Sequence, residues 1–227
     1  MTSPAPQSTF TLTTAFAVPL VNAQHDSPEP LNAELTRLFR QRAGNEAFRN
    51  PEPRVKRNKA LFESRFNLFD WPEPCVQQLR DFCFGHLFRA IQELNGYDEA
   101  MLKDLRYGCE SWFHLTRKGG FFAAHNHPLH SWSGVYCVCH DGDDPDSDSG
   151  RLTFLSPHMG ANMYVDAASI RFRRPFSSGP VMLRLKPGQL VLFPSWLLHE
   201  VTPYEGDTER ITVAFNVRFQ YVGKETL

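Results

Sequence analysis

The sequence predicts a mainly β fold with N-terminal helices, and three observations carry that reading. From Tyr107 onward the apolar segments are short, aromatic or β-branched, and separated by Gly, Pro and Asp clusters, as in a β-sandwich or barrel. Helical spacing of apolar residues is confined to the preceding part, at Leu31, Leu35, Leu38 and Phe39 and again at Val76, Leu79, Phe82, Leu87, Ile91 and Leu94. The length of 227 residues, with 41% apolar and 22% charged residues, suits one sizeable core and excludes a globally disordered chain.

The elements follow in order. Met1 to Ser8 is Ser/Thr/Pro-rich and expected to fray. Phe10 to Val21 reads as a strand ending near Pro19, and Pro30 to Phe48 carries a helix that Asn32 can cap. Asn50 to Lys59 is a basic, solvated connector, and Pro72 to Leu105 forms one long or two short helices broken at Asn95-Gly96. Strands are then expected at Ser111–Thr116, Phe121–Asn126, Trp132–Cys139, Arg151–Leu155, Val181–Leu185, Gln189–Phe193, Glu200–Pro203 and Glu209–Gln220. Asp141 to Gly150 is acidic, but it lacks the twelfth-position Glu and the flanking helices of a calcium loop, and reads as a hairpin loop. The expected layout is residues 1–106 packing on a β core of residues 107–227, within one integrated domain.

Composition narrows the function. Lys+Arg 24 against Asp+Glu 25 leaves a net charge of -1, with no basic excess to neutralise a nucleic acid backbone. No apolar run is long enough to span a bilayer, and no secretory leader pattern opens the chain, so no membrane partner is expected. The 5 Cys form no repeated CxxC pairs and read as reduced thiols of a cytoplasmic protein. Cys137 and Cys139 are expected to share one strand face as packing residues.

The 9 His are the informative count. In a strand, residues i and i+2 point to the same side, so His125 and His127 would project together. A second segment, Lys186 to His199, reads as a tight turn, an apolar strand, a Pro-marked turn and a His that opens the next strand. Three neutral imidazoles on one side of a metal leave the other side open to substrate and O2, as a catalytic site requires. The alternation over Glu209–Asn216 then places Arg210, Thr212, Ala214 and Asn216 on one face and Ile211, Val213 and Phe215 on the other. An inward Arg needs an anion, and Arg210 with Thr212 offers a guanidinium fork and a hydroxyl to one carboxylate. The competing reading puts Arg210 in solvent and the apolar face inward.

Taken in order, His125-Asn126-His127-Pro128, Ser131-Trp132-Ser133-Gly134-Val135-Tyr136, Pro187-Gly188, Phe193-Pro194-Ser195-Trp196-Leu197-Leu198-His199 and Glu209-Arg210-Ile211-Thr212 resemble a 2-oxoglutarate- and iron(II)-dependent dioxygenase. More narrowly, they resemble a family of bacterial and phage oxygenases, over about Tyr107 to Tyr221. The resemblance implies a double-stranded β-helix (a jelly-roll, cupin-like core). It implies Fe(II), 2-oxoglutarate and O2, and hydroxylation of an unidentified small molecule or side chain with release of succinate and CO2. By resemblance His125 and His199 are metal ligands, Arg210 and Thr212 hold the far carboxylate of the co-substrate, and Tyr136 adds a hydroxyl to it. The superfamily's His-x-Asp carboxylate position is taken here by His127. It is either a third ligand or a neighbour of the metal while another group ligates; the i, i+2 spacing favours a ligand.

Trp112, Phe113, Phe121, Phe122, Trp132 and Trp196 are expected to wall the site, with His114, His130 and His158 as its neighbours. Two alternatives compete with the oxygenase: a three-His metal cupin of other chemistry, such as a thiol dioxygenase or isomerase, and a non-catalytic cupin-like binding protein. The sequence leaves the substrate and the oligomeric state open.

Overall fold

The computed structural model describes residues 10–142 and 144–222, so Met1 to Ser8 lie outside the described residues. Two antiparallel sheets face each other. The larger has the order β1-β8-β5-β10-β3-β2 and the smaller β4-β9-β6-β7. The strands are β1 (Val21–Gln24), β2 (Leu61–Glu63), β3 (Leu105–Thr116), β4 (Phe122–His125), β5 (Trp132–His140), β6 (Leu152–Phe154), β7 (Val181–Leu183), β8 (Gln189–Pro194), β9 (His199–Val201) and β10 (Arg210–Tyr221). From β3 on, the chain passes back and forth between the sheets. This winding is that of the jelly roll the sequence predicts. The helices are α1 (Pro28–Ala43), α2 (Pro74–Asn95) and the short α3 (Glu99–Lys103).

Helices α1 and α2 form because their apolar residues fall on one stripe, and that stripe covers the outer face of the large sheet. Leu31, Leu35 and Phe39 from α1 and Val76, Leu79 and Leu87 from α2 join Phe113, Leu115, Ile211, Val213, Phe215 and Val217 in one buried cluster. Each such side chain removed from water contributes about 1.5–3 kcal/mol. Helix α2 ends as expected at Gly96, whose φ of 69° is the left-handed conformation that glycine adopts without a Cβ penalty. Gly134 lets the Phe215 ring lie directly against the β5 backbone, since a Cβ there would meet that ring at 2.3 Å. A second cluster, including Cys137, Leu152, Phe154, Val191 and Phe193, lies between the sheets.

Several expectations are corrected. Phe10 to Leu20 is not a strand: pairing with β8 begins only at Val21, and Phe10, Leu12 and Phe16 are exposed. Helix α1 starts at Pro28, so Asn32 lies inside it and is no cap. Strand β3 starts at Leu105, within reach of the predicted helical region, and β2 was not anticipated. The acidic loop at Asp141–Gly150 is no hairpin, because it carries the chain from β5 in one sheet to β6 in the other. A register shift between Ile211 and Thr212 lets β5 bulge, so Cys137 packs between the sheets while Cys139 packs against the outer cluster.

No helix among the described residues is long and apolar enough to cross a membrane.

Candidate active site

The space between the sheets contains a cavity of about 500 Å³. Its floor is the inner face of the large sheet, and the register sets out its chemistry in rows. Arg210 of β10 pairs with His140 on one side and Thr116 on the other. The next inner row is Cys137, Thr212, His114 and Glu63, followed by Val135, Ala214 and Trp112, and then Ser133, Asn216 and Glu110. The predicted alternation on β10 holds: Arg210 (3% exposed), Thr212, Ala214 and Asn216 line the cavity, and the apolar partners face the helices.

The opposite wall carries the histidines. His125 ends β4 and His199 opens β9, and the two are directly paired across these strands. His127 lies just past the strand and is held by its backbone N–H, which donates to the Ser195 carbonyl at 2.9 Å. Ring centroids are 4.4 Å apart for His125 and His199, 5.0 Å for His125 and His127, and 5.2 Å for His127 and His199. One potential ligand atom from each of the three lies within 4.8 Å of the others.

The hydrogen bonds orient two of these rings. His125 Nδ1 lies 2.8 Å from the Ala123 carbonyl and His199 Nδ1 lies 2.9 Å from the Leu197 carbonyl. A carbonyl only accepts, so each Nδ1 carries the proton and each Nε2 keeps its lone pair. Burial lowers the affinity of all three rings for a second proton. His127 is pushed down to about 2 by burial and then by the neighbouring imidazoles, chiefly His199 and His125, and His199 to about 3 by burial and His125. Three neutral imidazoles whose ligand atoms lie within 4.8 Å of one another fit a divalent transition metal.

Two carboxylates border the cavity, in different settings. Glu63 is 5% exposed and fully engaged. Asn50 Nδ2 donates to its Oε1 at 2.6 Å, Arg57 pairs with the same oxygen, and its Oε2 lies 3.2 Å from His114 Nε2. Burial alone would raise the Glu63 carboxyl, but His114, Asn50 and Arg57 together hold it at about 2. The Trp112 indole Nε1 lies 2.8 Å from the same His114 Nε2, which packs both rings into the wall. Glu110, at the end of the cavity beside the His127–His130 loop, has its Oε2 4.0 Å from His130 Nε2.

Tyr136 is not part of the cavity. It is 0% exposed in the outer cluster, and its hydroxyl donates to Asn32 Oδ1 of α1 at 2.9 Å. The expectation that it touches the co-substrate is therefore corrected: β5 turns that residue toward the helices. Of the expected aromatic wall, Trp112 and Phe122 line the cavity, Phe113 and Trp132 pack on the outer face, and Trp196 is 55% exposed. His114 and His130 border the cavity, whereas His158 is exposed elsewhere. Sequence reading missed Glu63, which a three-residue strand places beside His114, and Gly150. At Gly150 (φ +59°) a Cβ would stand 2.9 Å from Arg210 Cδ and 3.1 Å from His140 Nε2, so only glycine lets the Arg210 stem lie there.

Comparison with known proteins agrees with this geometry. The family model described as "Putative 2OG-Fe(II) oxygenase" matches residues 110–216. No curated protein matches the chain in sequence. Among solved structures, a Pseudomonas putida prolyl-4-hydroxylase is 19% identical, with TM-score 0.59, over 91% of this chain and 94% of that one. SnoN, a non-heme alpha ketoglutarate dependent epimerase from nogalamycin biosynthesis, is 13% identical, with TM-score 0.59, over 92% of this chain and 81% of that one. HygX from Streptomyces hygroscopicus, solved with nickel and 2-oxoglutarate bound, is 10% identical, with TM-score 0.55, over 89% of this chain and 83% of that one. At such identities these structures establish the shared fold, and the family match adds the chemistry. Most of the cavity floor and the facing histidine wall thus lie within this matched segment, so the chain carries a 2OG-Fe(II) oxygenase domain over residues 110–216, an oxidoreductase whose cofactor is Fe(II) and whose co-substrates are 2-oxoglutarate and O2.

Proposed function

We propose that this oxygenase hydroxylates its substrate at an iron(II) held by His125, His127 and His199, with the far carboxylate of 2-oxoglutarate held by Arg210 and Thr212. The observation that carries this reading is that one cavity brings together both halves of the chemistry: three neutral imidazoles on the small sheet, and a buried guanidinium beside a hydroxyl on the large one. Iron(II) held there would supply O2 activation with electrons from 2-oxoglutarate, giving succinate and CO2 and converting a substrate C–H bond to C–OH.

The chain's own residues position and protect that chemistry. The Nδ1–H bonds of His125 and His199 keep the proton on Nδ1 and leave each Nε2 lone pair for the metal. Arg210 and Thr212, two residues apart on one strand face, give a charge-assisted fork and a second donor to one carboxylate. A third imidazole in place of a carboxylate leaves the metal one unit more positive, which favours an anionic co-substrate. Trp112, Phe122, Phe193 and Leu198 line the cavity and exclude water from the reacting groups. The paired Arg210 and Thr212 favour this reading over a three-His cupin of other chemistry or a non-catalytic binding protein, neither of which needs a dicarboxylate clamp. The 5 free cysteines support a reducing, cytoplasmic setting.

Protein supplied with Fe(II) and 2-oxoglutarate in air is expected to release succinate slowly even without its substrate, and iron-free protein is expected to release none. His125→Ala, His127→Ala and His199→Ala are each expected to weaken Fe(II) binding. Undiminished iron binding by His127→Ala would remove that residue from the ligand set.

A further inference from the structure

The row of side chains farthest from Arg210 has no use in holding metal or co-substrate. Asn216 lies six residues beyond Arg210 on β10, so ~20 Å along an extended strand. A five-carbon dicarboxylate anchored at Arg210 does not reach it. This row is a built polar surface. Ser195 Oγ and Ser133 Oγ are 2.8 Å apart, and the Ser133 hydroxyl donates to Asn216 Oδ1 at 2.7 Å. That chain fixes the amide and leaves its NH2 end as the group offered to the cavity. Asn216 is the direct cross-strand partner of Glu110.

Glu110 differs from the other carboxylate of the cavity. Glu63 spends its charge on Arg57 and its acceptor capacity on Asn50. Glu110 borders the same cavity, half-buried, and among the described residues its ion-pair neighbour is His130 Nε2 at 4.0 Å. The His130 ring gives its Nδ1–H to the Pro128 carbonyl at 3.0 Å, which holds it at the edge of the same row.

We propose that Glu110 is the specificity-determining residue of this oxygenase and that its substrate carries a cationic nitrogen, an ammonium or guanidinium group, held by Glu110 with Asn216 donating to a neighbouring substrate oxygen. The inference rests on the reading of Arg210 as the co-substrate end. On this reading the anionic co-substrate lies at the Arg210 end and the cationic group of the substrate at the Glu110 end, while Arg54, which also borders the cavity, sits over the Phe66 ring. A half-buried carboxylate at the cavity end, 4.0 Å from its ion-pair neighbour, gains from a cationic nitrogen that bonds it directly.

The test measures succinate release by Fe(II)-loaded protein with 2-oxoglutarate and a panel of probes. The cationic probes are L-lysine, L-arginine, acetyl-Gly-Lys-Gly-amide and acetyl-Gly-Arg-Gly-amide. The neutral counterparts are L-norleucine, L-citrulline and their matching peptides. At least one cationic probe is expected to accelerate release tenfold or more over its neutral counterpart. Whether the free amino acid or the peptide does so identifies the source of the cation. Glu110→Gln is expected to reduce that preference to under twofold, and Glu110→Asp to retain part of it. Equal response to neutral and cationic probes, no response to any of them, or a preference undiminished in Glu110→Gln would overturn the proposal. Calorimetry separates this from failure of the underlying reading. Wild-type Fe(II)-loaded protein that binds 2-oxoglutarate but ignores the cation refutes only the role of Glu110, whereas protein that binds no 2-oxoglutarate refutes both.

Discussion

On β10, Ile211, Val213, Phe215 and Val217 are all 0% exposed and packed under the helices, while their alternating neighbours Arg210, Thr212 and Asn216, at 2–3% exposed, face the cavity with polar groups. The same pattern crosses the sheet: Phe113 and Leu115 face out, and Trp112 and His114 face in. Burial is equal on the two sides, yet its consequence differs. The outer face gains hydrophobic free energy from every side chain. The inner face bears the desolvation of a guanidinium, a carboxylate and several imidazoles. Such groups weaken a core unless a ligand or a partner completes them, so the outer face is expected to govern folding and the inner face binding.

Four substitutions sharpen or break that division, from the largest effect to the smallest. Phe215→Ala empties the centre of the outer face and is expected to cost about 3–5 kcal/mol, read by chemical denaturation, with the Kd for 2-oxoglutarate of the remaining folded protein unchanged. Glu63→Gln breaks the division on purpose, because Glu63 faces the cavity and yet is structural. Leaving the Arg57 charge without its anion is expected to cost about 3 kcal/mol at neutral pH. It is also expected to change the acid response. With its carboxyl held at about 2 against an ordinary 4.5, ionised Glu63 contributes stability above pH 4.5 that is lost as pH falls toward 2. Denaturation midpoints over that range should fall more steeply for wild type than for Glu63→Gln.

Gly150→Ala places a methyl against Arg210 Cδ in a left-handed backbone position. It is expected to raise the KM for 2-oxoglutarate several-fold, with about 1–3 kcal/mol of lost stability. Tyr136→Phe removes only the hydrogen bond to Asn32 and is expected to cost about 1 kcal/mol while leaving 2-oxoglutarate affinity unchanged. A large loss of affinity would return Tyr136 to the site.

What was legible in the sequence follows the same division. Arg210-Ile211-Thr212-Val213 alternates polar and apolar, so the residues alone tell its two faces apart. Val135-Tyr136-Cys137-Val138 is apolar on both sides, because that strand is covered by helices outside and by the second sheet inside. Nothing local says which way Tyr136 points, and the bulge beside it then reverses Cys139. His125 and His199 were legible because each sits at a strand end marked by neighbouring Pro or turn residues. Glu63 was not, since a strand of three residues carries no periodicity. Phe10 to Leu20 has the composition of a strand but no edge to pair with until β8 meets Val21.

The central claim is that the inner face holds 2-oxoglutarate through Arg210 at one end while the facing wall holds iron. Anaerobic calorimetry of 2-oxoglutarate into Fe(II)-loaded wild type and Arg210→Ala tests it most directly. The predicted result is saturable binding to wild type, weakened about 100-fold or more by Arg210→Ala, with Fe(II) affinity retained in both. Equal 2-oxoglutarate binding by the two proteins, or none by wild type, would contradict the account.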